Sequence, residues 1–397
     1  MFNFNETIDR RHTNCVKWDT VETSYHEKDL LPLWVADMDF KVHQPILDAL
    51  SQVIEQGILG YAVAPNELYQ AIQDWQQQHH QLIVEKEEIL FNSGVVPSLA
   101  TAVQAYTAPA DSIMICDPVY PPFADVVKQN ERRLVRHSLL EVNGHYEVDL
   151  VKMEQQIIEE KVKLLLFCNP HNPGGRVWTK EELLAIGRLC KKHQVTVVSD
   201  EIHQDLIFKP HTFTSFTVAD EAFKEFTVTL TAATKTFNLA GIKNSMLFIP
   251  NEKLRQSFVS LQDKNHQGGI NTFGYVGTAA AYQTGEEWLT ALLDYLKENI
   301  DFALSFFREE MPSVRVMEPE GTYLLWLDFS SYSLTDRELR DTLIHKGKVV
   351  LNPGISFGPQ GSQHMRLNLA CSRETLEEGL LRIKKDRKST RLNSSHS

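Results

Sequence analysis

From about residue 66 onward, apolar positions along the chain follow two alternating periods. Leu68, Ile72 and Trp75 recur at helical spacing behind Asn66, which predicts a helix with Asn66 as its cap. Short runs without polar interruption mark strands: Ile89-Leu90-Phe91, Ser112 to Cys116, Lys163 to Cys168, Val195 to Ser199 and Thr227 to Thr231. Between them lie helical stretches. One opens at the Ser93-Gly94 turn and runs through Ala105. Another runs from Lys180 to His193, with Thr179 and Glu182 spaced for a capping box. Strand–helix alternation over this length predicts a mostly parallel sheet with helices on both faces. After Gly285 a long helical pattern, Trp288 to Met311, leads into a strand–helix–strand region ending near Lys385. That break in pattern predicts a second, smaller domain.

The last twelve residues, 386–397, break with what precedes them. Leu376, Leu380 and Ile383 keep helical spacing, whereas Asp386 to Ser397 carry no apolar period and match the translation of a sequencing-adapter oligonucleotide. They are set aside from the fold. The predicted division is an N-terminal segment (1–45) contributing to the small domain and the substrate pocket, a large domain (46–286), a small C-terminal domain (287–385) and the adapter-derived tail (386–397).

Composition narrows the picture. The formal charge of −12 argues against nucleic acid as a partner, because phosphate contacts need a basic surface. No apolar run approaches the ~20 residues of a membrane span. The N-terminus is polar and lacks the apolar stretch of a secretory signal. Five scattered cysteines form no Cys-x-x-Cys pair, which points to a reduced, cytoplasmic setting.

Chemistry gathers at predicted strand ends, where open α/β sheets place their ligands. The strand ending at Cys168 is followed by Asn169-Pro-His-Asn172-Pro-Gly-Gly175, and Val195–Ser199 by Asp200-Glu-Ile-His203. Thr227–Thr231 is followed by Ala232-Ala-Thr234-Lys235-Thr-Phe-Asn238. A lysine and a carboxylate at neighbouring strand ends suit a pyridine-aldehyde cofactor: the lysine forms a Schiff base, and the aspartate keeps the ring nitrogen protonated. Asn172 can hydrogen-bond the cofactor's phenolate. The helix start at Ser93-Gly94-Val95-Val96 offers free N–H groups and a positive dipole end to a phosphate. Tyr120, followed by two prolines, is placed to lie on the ring. Singly, each residue has a plain structural reading, Lys235 as a surface lysine and Asp200 as a helix cap. Their order on alternating strand ends is what favours the chemistry.

Those strings resemble the fold-type I enzymes of the class I/II aminotransferase group, which depend on pyridoxal 5'-phosphate (PLP). The likeness extends to Lys385. Ile8-Asp-Arg-Arg-His-Thr-Asn-Cys-Val-Lys-Trp-Asp19, Leu33-Trp-Val-Ala-Asp-Met-Asp-Phe40, Gly60-Tyr61, Asn352-Pro-Gly354 and Met365-Arg-Leu-Asn-Leu-Ala370 make the chain most similar to the bacterial cystathionine β-lyase and cysteine-S-conjugate β-lyase branch, which includes a maltose-regulon modulator. The resemblance implies a large domain with a mostly parallel seven-stranded sheet flanked by helices, and a smaller α+β C-terminal domain. It further implies that Lys235 carries the cofactor and takes the Cα proton, that Asp200 pairs with the pyridine nitrogen, and that Asn172 and His203 face O3′. Val95, Val96 and Thr234 hold the phosphate, and Tyr61 reaches the phosphate of a neighbouring subunit in a homodimer. Arg366 takes the substrate α-carboxylate. Lys235, Tyr120 and Asp200 form the implied catalytic set. The implied reaction is α,β-elimination from a cysteine conjugate such as cystathionine, to thiol, pyruvate and ammonia. An aminotransferase and a PLP-binding regulator of a transcription factor are the alternatives.

Two departures stand out. Ala232 occupies a position where classical aminotransferases often have a phosphate-binding Ser, and Lys243 stands where some relatives have Arg. Cys168-x-x-His171 and Cys190-x-x-His193 mimic zinc spacing, but they fall on a strand end, a turn and a late helical turn, so no metal is expected.

Overall fold

The computed structural model describes residues 2–385; the adapter-like segment 386–397 lies outside them. Seven strands form the central sheet: β1 (Ile89–Asn92), β2 (Ser112–Asp117), β3 (Arg133–Ser138), β4 (Val162–Cys168), β5 (Thr196–Asp200), β6 (Thr227–Thr231) and β7 (Ser245–Phe248). Their order is β1-β7-β6-β5-β4-β2-β3. All neighbours run parallel except β7, which is antiparallel to both β1 and β6. The inner parallel strands are covered on both faces, whereas the edge strand β3 alternates in burial. In β5 and β6 every residue except Thr196 is buried. The apolar run of β7 is of the same kind, so its reversed direction is not visible in its composition.

Local signals at the helix starts acted unevenly. The capping box on helix Lys180–Lys192 forms: Thr179 Oγ1 accepts from the Glu182 N–H at 3.2 Å, and the Glu182 carboxylate accepts from the Thr179 N–H at 2.8 Å. Such a cap contributes about 1 kcal/mol. The cap expected of Asn66 does not form. Asn66 is already helical in Asn66–His80, with Pro65 in the cap position, and its Oδ1 accepts from Lys86 Nζ at 2.7 Å. Proline supplies the extended entry there, which frees the amide for a tertiary contact. The apolar face of this helix buries Leu68, Ile72 and Trp75.

The helix Glu286–Glu310 leads to a four-stranded antiparallel sheet built from Arg315–Met317, Leu324–Asp328, His364–Asn368 and Asn352–Pro353. The helix Arg373–Lys385 follows it. The N-terminal stretch joins this smaller unit, with Leu31–Pro32 pairing in parallel with Val349–Val350. Residues 33–40 then cross to the large sheet as a strap clamped by two amides. Asn368 Nδ2 donates to the Val35 and Asp37 carbonyls at 2.6 and 2.7 Å; Asn238 Nδ2 donates to those of Met38 and Phe40, both at 2.9 Å. A buried charge cluster fixes the strap's outer side, where Lys17 and Arg10 pair with Asp39 and Asp37. One clamp comes from each unit, so the strap's carbonyls are held where the two units meet.

Candidate active site

At the C-terminal edge of the parallel strands lies a cavity of about 530 Å³, walled by both sheets and by the strap. Strand register explains its composition. Cys168 of β4 is level with Asp200 of β5, and Asp200 is level with Leu230 of β6, so Asn172, Asp200, His203 and Lys235 emerge side by side. Tyr120 arrives from beyond β2, its N–H bonded to the Asn172 carbonyl at 3.1 Å. Val95 and Val96 open the helix Val95–Tyr106 at the cavity's far end, where the first N–H groups have no partner within the helix. Thr234 sits beside them on the four-residue helix Ala233–Thr236, together with Lys235. Arg366 comes from the smaller sheet.

Lys235 is half-buried, and its Nζ donates to the Ala36 carbonyl of the strap at 2.5 Å. Burial lowers its pKa to about 8; the Arg366 charge adds to the fall, while Asp37 and Asp200 oppose it. Removal from water is the larger cause, because a charged amine loses its hydration there. Asp200 shows the reverse effect. Burial pushes it up to about 7, against the Ile202 N–H that bonds its Oδ1 at 3.1 Å and against Lys235. His203 is driven down to about 3 by burial and by the Lys235 and Arg366 charges, so it is a neutral imidazole across the physiological range.

Arg366 is almost fully buried, 2% exposed, over the ring of Phe357 at 5.1 Å. Its Nη1 donates to Asn172 Oδ1 and its Nη2 to the Trp34 carbonyl, both at 3.0 Å. Burial lowers its pKa only to about 10, so it stays cationic at neutral pH. A buried cation with an unused donor is a receptor for an anion. Among the described residues Arg366 Nε and His203 Nδ1 find no hydrogen-bond partner. Those two unfilled atoms, with a carboxylate in Asp200 that burial leaves under-compensated, match a ligand carrying an anion, an acceptor and a cationic nitrogen. A protonated pyridine bearing a phenolate, joined to an amino acid, has that set.

The cavity gathers Lys235, Thr234, Asp200, Asn172 and His203 from the strand ends, Val95 and Val96 from a helix start, and Tyr120 and Arg366. Lys243 also lines it, on left-handed backbone (φ 51°). Tyr61 stands apart, fully exposed on the loop after the helix Gln44–Glu55. The zinc-like set has other partners: Cys168 Sγ donates to the Pro170 carbonyl, His171 Nε2 bonds the Pro118 carbonyl and His193 bonds Glu154. Two participants had no individual signal. The Ala36 carbonyl is backbone, and Tyr323, whose hydroxyl donates to that carbonyl at 2.9 Å, lies 287 positions further along. Asp205, two residues beyond His203, is a charge inside an otherwise buried stretch, which is a readable anomaly.

A model of the aminotransferase class I and II family matches residues 28–383. The cystathionine β-lyase PatB of Bacillus subtilis (strain 168) is 42% identical over 382 residues, spanning 96% of this chain and 99% of that protein. The crystal structure of cystalysin from Treponema denticola, which contains a PLP cofactor, superposes with a TM-score of 0.95 at 33% identity, covering 98% of this chain and 100% of that one. A PLP-bound C–S lyase from Staphylococcus hominis gives 0.90 at 32%, covering 97% of each chain.

Proposed function

The chain belongs to the aminotransferase class I and II family, and on that premise we propose that it is a PLP-dependent carbon–sulfur lyase. It cleaves cystathionine or related cysteine S-conjugates by α,β-elimination, giving thiol, pyruvate and ammonia. The observation that carries this reading is one cavity in which three groups converge: a lysine held near pKa 8, a buried carboxylate and a buried guanidinium. Preference for elimination over amino transfer is supported by the relatives named above.

When bound, PLP supplies an aldehyde that bonds amines and a ring that draws off the electron pair released at Cα. Lys235 would carry it, and the same amine would be the base for the Cα proton; a pKa near the working pH suits that task. Asp200 holds a proton on the ring nitrogen. Asn172, whose Oδ1 is occupied by Arg366, has its Nδ2 left to donate to the cofactor's phenolate, which His203 would also face. The Val95 and Val96 N–H groups and the Thr234 hydroxyl bind the phosphate, helped by Lys243. Arg366 would take the α-carboxylate and Tyr120 would pack on the cofactor, the two together orienting the substrate.

The division into an N-terminal segment (1–45), a large domain (46–286) and a small domain (287–385) forms part of the same reading. So does a homodimer in which Tyr61 of a second copy completes the phosphate site. Exposed Ile58, Leu59, Tyr61 and Val63 form a short apolar stretch that a second copy would cover. The test is to incubate purified, PLP-loaded protein with cystathionine and no keto acid. Pyruvate and thiol are expected. Turnover only when a keto acid is added would replace the lyase with an aminotransferase.

A further inference from the structure

Outside the residues that line the cavity, a second carboxylate is buried as Asp200 is. The Asp205 side chain is 1% exposed and accepts three hydrogen bonds: from His80 Nε2 at 2.6 Å, Trp75 Nε1 at 2.9 Å and Thr236 Oγ1 at 2.7 Å. Burial alone would raise its pKa, but the donors from His80, Thr236 and Trp75 outweigh that and hold it below the ordinary carboxylate value. A buried anion supported in this way is rigid, since losing any donor leaves charge uncompensated.

Its partners lie on elements that are themselves fixed. Trp75 and His80 belong to the helix Asn66–His80, and the Trp75 ring stacks on Tyr282 with centroids 5.0 Å apart. Thr236 ends the four-residue helix Ala233–Thr236, one position after Lys235. A single turn of helix cannot hold its own geometry by internal hydrogen bonds. Something outside must set the backbone that aims the lysine. On one side Thr234 lines the cavity; on the other, the Thr236 hydroxyl donates to the buried Asp205 carboxylate. Asp205 also follows Asp200 and His203 on a single turn, closed by bonds from the Gln204 and Leu206 N–H groups to the Glu201 and His203 carbonyls. The loops after β5 and β6 are thereby tied together beneath the site.

We propose that Asp205 is a positioning residue for Lys235, acting through the Thr236 hydroxyl. The inference rests on the reading that Lys235 carries the cofactor. Asp205 touches neither cavity nor cofactor; it sets where Nζ points.

The test is a double-mutant cycle on PLP-loaded protein with Thr236→Val, Asp205→Asn and the pair, and with Thr236→Ser as the conservative control. Three readouts are followed: kcat, KM and the pH midpoint at which the visible absorption of bound cofactor changes. Thr236→Val is expected to lower kcat about tenfold, on the scale of a sub-ångström misplacement, leave KM within about twofold and move the spectroscopic midpoint. Thr236→Ser is expected to restore all three. Asp205→Asn should then change kcat by less than about twofold in the Val background, because coupled residues are non-additive. Unaltered kcat and midpoint in Thr236→Val would overturn the proposal, as would an equal Asp205→Asn loss in both backgrounds. Should Asp205→Asn not fold, the Val and Ser variants still decide. If the unaltered protein binds no PLP covalently at Lys235, it is the parent reading that fails. Covalent PLP at Lys235 together with unaltered kcat and midpoint in Thr236→Val sinks this inference alone.

Discussion

Arg366 Nη1 donates to Asn172 Oδ1 at 3.0 Å, joining the smaller sheet to the turn after β4. One bond thus orients two groups. It turns the Asn172 amide N–H toward the cavity and leaves Arg366 Nε free for an incoming carboxylate. Lysine cannot serve both ends, because it lacks the planar fork. Arg366→Lys is therefore expected to lower kcat/KM about 100-fold or more, the scale of 2–5 kcal/mol for losing one side of a buried charged contact. Most of the change should appear in KM. A steady-state comparison with a cysteine S-conjugate checks it; a fall in kcat at constant KM would remove Arg366 from substrate binding.

Asp200 carries a stability cost that function explains. Its pKa is 3.8 in a free chain and about 7 in the fold, so between those values the folded state binds the extra proton. Stability of the cofactor-free protein then falls as pH rises through that window and levels off above it. Asp200→Asn removes the penalty. The cofactor-free variant should melt higher than the unaltered protein at pH 8, by a margin that shrinks as pH falls toward 4, while PLP binding weakens. Melting curves at several pH values measure this directly. A variant that is less stable at pH 8 would show that Asp200 is compensated by something other than a cationic ligand.

Much of the site could be read in the sequence because its parts are local. Lys235, Asp200 and Asn172 each lie within a few residues of a strand end, and parallel strands in register bring those ends together whatever the rest of the chain does. Helix caps were less dependable: the Thr179–Glu182 box forms, but at Asn66 the neighbouring Pro65 and a distant Lys86 decided otherwise. The reversal of β7 was hidden, since a strand covered on both faces has the same pattern in either direction. Least legible were the groups acting through long-range contact. Ala36 lies in the Leu33–Phe40 string that the resemblance marks, but that its carbonyl meets the Lys235 amine and the Tyr323 hydroxyl depends on the fold and not on local sequence.

Tyr120 separates ring contact from hydroxyl chemistry. It is half-buried at the cavity wall, and burial, despite an opposing effect of Arg366, raises its pKa, so the hydroxyl stays protonated. Stacking needs only the ring. Tyr120→Phe is expected to keep PLP affinity within about twofold, whereas Tyr120→Ala should lose about 0.5–1.5 kcal/mol of binding, roughly three- to tenfold in Kd. Titrating cofactor into each variant, followed by absorbance, discriminates them. Equal losses in both would mean the hydroxyl, not the ring, makes the contact.

The exposed stretch Ile58, Leu59, Tyr61 and Val63 bears on assembly. Four large apolar side chains within six positions are costly to leave in water, at about 25 cal/mol per Å², and polar residues would serve a free loop better. If a second copy covers them, a charge placed there must either be desolvated or hold the copies apart. Leu59→Asp, which alters no residue of the cavity, is expected to shift sedimentation toward the monomer. It should also raise the Kd for PLP, because displacing the loop withdraws Tyr61 from the neighbouring phosphate site. Tyr61→Phe supplies the control: it removes the phosphate contact but keeps the apolar surface, so cofactor affinity should drop while the dimer persists. If Leu59→Asp sediments as a dimer with unchanged affinity, this loop is not the interface, and Tyr61 has no part in holding the cofactor.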